Sequence, residues 1–433
     1  MDRDRFNDGL LDFLQRACTP FHATAQMALQ LEAGGFRPVD GAPGALAPGE
    51  GCYLQRGGSL IALRAGSAAD APAGLRMVGA HTDSPCLMVK PQPEIAGSRY
   101  RQLGIEVYGG ALLNPWFDRD LSLAGRVSFA GPGAAVATAL VDFRDPVAVV
   151  PSLAIHLDRE ANSQRSVNPQ KDMAPLLGLA PAQGGGFDLR ALLAERLRAE
   201  GQAVEEVLDF ELCLYDSQPP ARVGLEREFI AAARLDNLLS CYTGLQALLQ
   251  SAQGQWCLLV CNDHEEVGSL SATGAQGPLL REFLRALPGA GGALDALMQR
   301  SMMISADNAH GLHPNYADRH DPGHGPLLNG GPVIKVNASQ RYASSSDGAA
   351  LFRLLAREEA VPVQSYVTRA DMGCGSTIGP ITAGELGVTT LDIGVPTFAM
   401  HSIRELAGSD DAWLLYRVLK RYYGRPGQLF SRG

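Results

Sequence analysis

Five short polar clusters in this chain carry side chains that bind metal ions or move protons, and each adjoins an apolar segment. They are His81-Thr82-Asp83, Asp236 within Arg234-Leu235-Asp236-Asn237, His264-Glu265-Glu266, Asp307-Asn308-Ala309-His310, and His401 within Met400-His401-Ser402-Ile403-Arg404-Glu405. A dinuclear hydrolytic centre is built from such a set. Each divalent ion takes nitrogen and oxygen ligands from His, Asp and Glu. One carboxylate bridges the two ions, about 3.5–4 Å apart. Each ion keeps a position open for water or substrate. A further carboxylate, bound to neither ion, takes the proton of the attacking water. His81, Asp236, Glu266, Asp307 and His401 supply two imidazoles and three carboxylates, one of them bridging. Glu265 is left over as the base. Asp83 would fix the ring of His81, its plainer use being to cap a loop.

Taken singly, each residue has a plainer use. A histidine after a strand is usually hydrogen-bonded without a metal. A Glu-Glu pair is usually solvated. Asp236 alone reads as a helix cap and Asp307 as a turn residue. It is the joint placement that points to a site. Three other features carry less. Gly373-Cys374-Gly375-Ser376-Thr377-Ile378-Gly379-Pro380 lacks the Lys of a phosphate-binding loop and suits close backbone approach to a peptide. His310, His313, His320 and His324 lie in a Pro/Gly loop and read as solvated, a third metal being the alternative. Ser344, Ser345 and Ser346 lack a G-x-S-x-G elbow and read as caps of the following helix.

The elements that must position these clusters show in the apolar pattern. Helical spacing runs from Asp4 to Glu32 with a break at Thr19-Pro20, followed by a Gly/Pro-rich loop from Gly34 to Gly51. Ser59 to Arg64 and Leu75 to Ala80 read as strands. An amphipathic helix begins near Leu235. Strands at Cys257 to Cys261, Met302 to Ser305, Val361 to Val367 and Val388 to Ile393 then alternate with helices. The helices are Leu279 to Ala286, Gly348 to Glu359 and Asp411 to Tyr423. This alternation predicts an α/β layered sheet with chemistry at the strand ends. From Pro91 to about Glu228 the pieces are instead β-like: Ile105 to Tyr108, Gly125 to Phe129, Ala135 to Phe143 and Glu205 to Tyr215. A polar, Gly-rich stretch from Asn162 to Gly186 lies among them, and the segment reads as an inserted domain.

With 433 residues, 46% hydrophobic and 19% charged, the chain is long enough for two or three cored domains. Its net charge of −9 gives no general footprint for nucleic acid or an anionic membrane. No apolar run approaches the ~20 residues of a membrane helix. No signal peptide is evident. The eight cysteines form no C-x-x-C pair and several lie in apolar runs. A soluble, cytoplasmic protein with reduced thiols is expected. Only Lys90, Lys171, Lys335 and Lys420 are lysines. Lys335 lies in an apolar run, where a charge needs a partner such as a neighbouring carboxylate.

The chain resembles the M18 metallopeptidases, whose best-known members are aspartyl aminopeptidases. The matching stretches, in family order, begin with Gly79-Ala80-His81-Thr82-Asp83-Ser84-Pro85, Asn114-Pro115-Trp116-Phe117-Asp118-Arg119-Asp120-Leu121 and Ala232-Ala233-Arg234-Leu235-Asp236-Asn237. They continue with Asp263-His264-Glu265-Glu266-Val267-Gly268-Ser269, Ser305-Ala306-Asp307-Asn308-Ala309-His310 and His313-Pro314-Asn315-Tyr316. The last are Gly330-Gly331-Pro332-Val333-Ile334-Lys335, Gly375 to Pro380 and Met400 to Glu405. Met88, Gly311 and Gly373 depart from the Lys, Ala and Pro expected there.

The resemblance implies a mixed-sheet α/β/α zinc-exopeptidase domain over 1–91 and 232–433. A β-rich oligomerisation domain, 92–231, would interrupt it. It implies two zinc ions, although such ligands also tolerate manganese or cobalt. One ion would take His81, Asp236 and Asp307, and the other Asp236, Glu266 and His401, with Glu265 as general base. Lys335 and Tyr342 would bind an acidic N-terminal side chain. His156 would reach a neighbouring subunit's site within a tetrahedral dodecamer, where the plainer reading is a buried core histidine. The expected activity is release of N-terminal Asp or Glu from peptides. The rivals are an M18 aminopeptidase preferring neutral or apolar residues, a dinuclear deacylase or carboxypeptidase, and a non-catalytic scaffold. A scaffold would have lost a ligand or the base, and none is missing.

Overall fold

The strand Cys257–Asn262 is buried along its whole length and divides its residues between two apolar cores. Leu259 and Cys261 meet Val78, Ala80, Ile304 and Leu391 on one face. Leu258 and Val260 meet Met77, Met303 and Ile61 on the other. A strand apolar on both faces requires a helical layer on each side. In this computed structural model, the helices Arg3–Arg16, Leu235–Gln250 and Asp411–Gly424 line the first face. Leu279–Arg285 and Leu294–Met298 line the second. The structure describes residues 1–67, 74–96, 99–133, 135–180, 187–252, 254–287 and 293–430.

The central strands Cys257–Asn262, Arg76–His81, Met302–Ala306 and Thr389–Gly394 run parallel in that order. Ser59–Arg64 and Val333–Val336 flank them antiparallel, so the sheet is mixed. Gly51–Arg56 and Phe36–Pro38 extend one edge and Gln364–Val367 the other, giving nine described strands. A smaller sheet pairs Ala221–Val223, Phe229–Ala232, Glu405–Gly408, Pro396–Phe398 and Ala309–His310.

By contacts, Met1–Asp83, Pro220–Met400 and Glu405–Gly433 form one unit, and Ser84–Pro219 with His401–Arg404 form the other. The second unit has its own core, including Leu87, Leu123, Val127, Leu193, Leu197, Leu212 and Leu214. Its six-stranded sheet has the order Val136–Asp142, Leu121–Ala130, Glu206–Asp216, Cys86–Glu94, Tyr100–Tyr108, Leu176–Leu179. All its pairings are antiparallel.

These contacts shift the boundaries from the expected 92 and 231. Cys86–Glu94 pairs within the second unit, whereas Phe229–Ala232 pairs with Glu405–Gly408 in the first. The second unit also contains a helix that the β-like reading left out, Leu189–Ala199, capped by Asp188 and burying Leu189, Leu193 and Leu197. The loop expected from Gly34 to Gly51 holds the short strand Phe36–Pro38. In the polar stretch from Asn162, Pro169–Asp172 is helical, and 181–186 lies outside the described residues.

Candidate active site

His81 ends its strand at the carboxyl edge of the parallel core, with Asn262 directly across on the neighbouring strand. The chain turns beyond both. Asp83, fully buried, joins the two turns: its Oδ1 accepts the Glu265 N–H and its Oδ2 the Glu266 N–H, each at 3.1 Å. His264 makes this possible by adopting a left-handed backbone, φ 65°. A non-glycine residue holds that conformation only where its surroundings repay the cost. Asp83 Oδ1 also lies 3.4 Å from His81 Nδ1, which meets the Asp83 carbonyl oxygen at 3.0 Å. With Nδ1 so occupied, Nε2 is presented to other partners. These are Asp236 Oδ1 at 3.4 Å, Asp307 Oδ1 at 3.6 Å and Glu265 Oε2 at 3.9 Å.

Asp236 stands at the start of the helix Leu235–Gln250, where it and Asn237 depart from helical backbone angles across a cis peptide bond. Three sets of contacts fix this start. Arg234 donates to the Leu14 and Ala17 carbonyls at 3.1 Å. Glu405 accepts the Asp236 N–H at 2.8 Å. Asn237 Nδ2 donates to the Ala306 carbonyl at 2.8 Å, beside Asp307.

Asp307 is braced from the other side. Lys335, 2% exposed, places Nζ 3.1 Å from Asp307 Oδ2 and donates to the Asn308 carbonyl at 3.1 Å. The same ammonium lies 5.0 Å from the centre of the Tyr342 ring. The neighbouring-carboxylate partner considered for Lys335 is therefore present. Asp392, fully buried, accepts from the Ala343 N–H at 2.6 Å and from Thr377 Oγ1 at 2.7 Å. The Gly-rich stretch meets it where the helix Ile378–Leu386 begins: a Cβ on Gly379 would lie 2.3 Å from Asp392 Oδ2, so only glycine fits. Ser345 caps the helix Ser346–Glu358, as expected for that serine run.

The electrostatics follow from burying so many acids around one imidazole. Burial alone would push the His81 pKa down, but Asp236, Asp307 and Asp83 hold it well above the usual value. Burial pushes the Glu265 carboxyl up to about 7, against the pull of His81 and with the push of Asp307, Asp236 and Asp83. Burial would likewise lower Lys335, yet Asp307 keeps its pKa raised. Such a crowd of carboxylates suits a divalent cation. His81, Asp236 and Asp307 offer ligand atoms all within 4.8 Å of one another, as do His81, Glu265 and Glu266. Asp236 and Glu266 also reach each other within that distance. Nitrogen and oxygen donors at this spacing fit zinc, manganese or cobalt.

His401 belongs by contacts to the second unit, where its Nδ1 lies 3.2 Å from the Gly110 carbonyl oxygen. His156 lies in a turn of that unit and is exposed, beside Ile155 at 45% and Leu157 at 75% exposure. That overturns the buried-core reading of His156. In the histidine loop, His310 and His324 are exposed and His313 and His320 half-buried. His310, His313 and His320 line a cavity of about 290 Å³ with Arg319, Tyr366 and Phe398, and no carboxylate is among its described lining residues. His324 instead contacts Asp321 at 2.6 Å. Sequence reasoning missed Glu405 and Asn237, which hold the Asp236 backbone, and Asp392. Each acts through backbone groups or buried hydroxyls, and no spacing rule marks such a role.

The family model described as Aminopeptidase I zinc metalloprotease (M18) matches residues 13–423. A Pseudomonas putida protein named "Probable M18 family aminopeptidase 2" is 57% identical over 427 residues, covering 97% of this chain and 98% of its own. A chain in the cryo-EM structure of the Ape4 and Nbr1 complex superposes with a TM-score of 0.93 at 35% identity, covering 98% of this chain and 86% of its own. A chain of the S. cerevisiae mApe1 dodecamer gives 0.82 at 26% identity, covering 96% of each.

Proposed function

This chain belongs to the M18 family of aminopeptidases, and from that premise we propose a dinuclear enzyme that releases acidic N-terminal residues from peptides. One observation carries the hydrolytic reading. His81, Asp236 and Asp307 converge as ligands, while Glu265 stands beside them with its Oε2 3.9 Å from His81 Nε2. In our reading His81, Asp236 and Asp307 hold one zinc ion, and Asp236, Glu266 and His401 the other. Bound metal supplies a Lewis acid for the scissile carbonyl and acidifies the attacking water. Glu265 takes that water's proton and delivers it to the leaving amine. Asp83 keeps Glu265 aimed by gripping its backbone N–H and keeps His81 oriented at Nδ1.

The acidic preference rests on charge. Lys335 is buried beside Asp307 and Tyr342, and Arg319 lies on the cavity that His310, His313 and His320 also line. The Arg319 guanidinium would favour a carboxylate over an apolar side chain, whereas desolvation lowers the pKa of His310 and His320, so those rings add little positive charge. We further propose a cytoplasmic homo-oligomer, a tetrahedral dodecamer, with His156 serving a neighbouring subunit's site. Its eight cysteines are all thiols, which suits a reducing compartment. A panel of N-terminal aminoacyl substrates assayed with zinc, manganese and cobalt tests the reading. Faster cleavage of Glu and Asp than of Leu is expected. A preference for Leu overturns the acidic assignment, and activity confined to N-terminally blocked peptides overturns aminopeptidase action.

A further inference from the structure

Two cysteines outside the metal centre meet in the second unit. Cys86 opens the strand Cys86–Glu94, and Cys213 lies in the adjacent antiparallel strand Glu206–Asp216. Their sulfurs are 3.2 Å apart although 127 residues separate them in sequence. Cys213 pairs directly with Met88, so Cys86 is its diagonal neighbour on the same sheet face. Leu87, Val89, Leu212 and Leu214 point into the core. Cys86 and Cys213 alternate with them and are only half-buried.

We propose that Cys86 and Cys213 form a reversible oxidation site whose co-substrate is a hydroperoxide. One thiolate attacks a peroxide oxygen, breaking the O–O bond and giving a sulfenic acid. The other thiolate attacks that sulfur, forming the S–S bond and expelling the hydroxyl as water. Two thiols and one hydrogen peroxide thus become one disulfide and two waters. The sulfurs lose the two electrons that the peroxide gains.

The geometry favours reversibility. The sulfurs must close from 3.2 Å to about 2.05 Å, and a diagonal pair cannot reach relaxed disulfide angles without shifting a strand end. Cys86 is such an end. A strained, accessible disulfide is readily reduced by cellular thiols. The link would tie together the strand by which the chain enters this unit after Ser84 and the strand by which it leaves toward Pro219. Cys241 and Cys261 also interact, but both are fully buried and out of reach of a dissolved oxidant.

The test is mild hydrogen peroxide treatment of the folded full-length protein. Alkylation in guanidinium and peptide mapping without reductant follow. The thiol count per chain is expected to fall from eight to six, with one peptide joining Cys86 to Cys213, and to return to eight with dithiothreitol. Cys86→Ser and Cys213→Ser should each hold seven thiols before treatment and give no linked peptide after it, the variant that keeps the attacking cysteine carrying at most a sulfenic acid that dithiothreitol returns to the thiol. An unchanged count of eight, a link between Cys241 and Cys261 or between two chains, or a lesion that dithiothreitol leaves in place overturns the proposal. Mapping of the wild-type protein decides the matter even where a serine variant folds poorly.

Discussion

Glu265 and Glu266 are adjacent in sequence, share one orienting partner in Asp83, and are assigned opposite work. What separates them is reach. Both come within ligand distance of His81, and Glu266 comes within it of Asp236 as well. Glu265→Gln keeps the size and the backbone contact but removes the basic oxygen. It is expected to lower kcat by at least ~10²–10⁴-fold with KM little changed. Metal content by elemental analysis should match wild type, and a variant that loses metal places Glu265 among the ligands instead. Lys335 gives a second test. Lys335→Met strips Asp307 of its buried partner, a loss that typically costs ~3–5 kcal/mol, so a lower unfolding midpoint is expected whatever its role with substrate. If its charge also serves an acidic side chain, kcat/KM for N-terminal Glu should fall at least ~tenfold more than for Leu. Equal losses on both would leave Lys335 only the bracing of Asp307. His81, Asp236, Glu265 and Asp307 were legible because acids and histidines stand out at the ends of apolar strands. Glu405 was not, although it lies in a recognisable stretch, because its partner is a backbone N–H whose position depends on the fold.

The strands that carry the site were legible for a related reason: each is a short, continuous apolar run buried on both faces, as in Cys257–Asn262 and Met302–Ala306. The strands of the small sheet were not. Ala309–His310 and Pro396–Phe398 have two and three residues, too short for any period to show. Their pairing nonetheless fixes the path from Asp307 into the histidine-lined cavity. Another hidden device sits where the helix Asp411–Gly424 begins. The fully buried Asp411 carboxylate accepts the N–H groups of Asn329 and Gly331 at 2.6 and 2.8 Å, pinning the loop that leads into Val333–Val336 and Lys335. Burial pushes its pKa from 3.8 to about 7 despite those bonds. The folded state then binds a proton more tightly than the unfolded chain. The resulting stability is fully present below about pH 4 and is lost as pH rises through about 7. Denaturant midpoints measured from pH 5 to 8.5 should decline more steeply for wild type than for Asp411→Asn, which cannot titrate. Parallel curves would mean that Asp411 is ionised in the folded protein across that range.

At the scale of the whole molecule, the exposed turn around His156 is hard to explain in an isolated chain. Leu153, Ile155 and Leu157 are 59%, 45% and 75% exposed beside it, and a cluster of large apolar side chains in water usually marks a contact surface. The sequence showed the apolar run but not its exposure, since a run of that length fits a buried strand equally well. A closed homo-oligomer would cover the turn, and closed symmetry prevents open-ended growth. If the covering subunit also receives the His156 imidazole at its site, each site needs residues from two chains. Glu265→Gln and His156→Phe are then each inactive alone for different reasons: one subunit lacks its own base, and the other fails to supply its neighbour. Dissociating the two variants, mixing them in equal amounts and reassembling them should create sites with Glu265 from one chain and His156 from the next. Random mixing gives roughly a quarter of sites in that state, so recovery toward a quarter of wild-type activity is expected. Mixed assemblies verified by mass that remain inactive, or a wild-type protein fully active as a monomer, would show that each chain completes its own site.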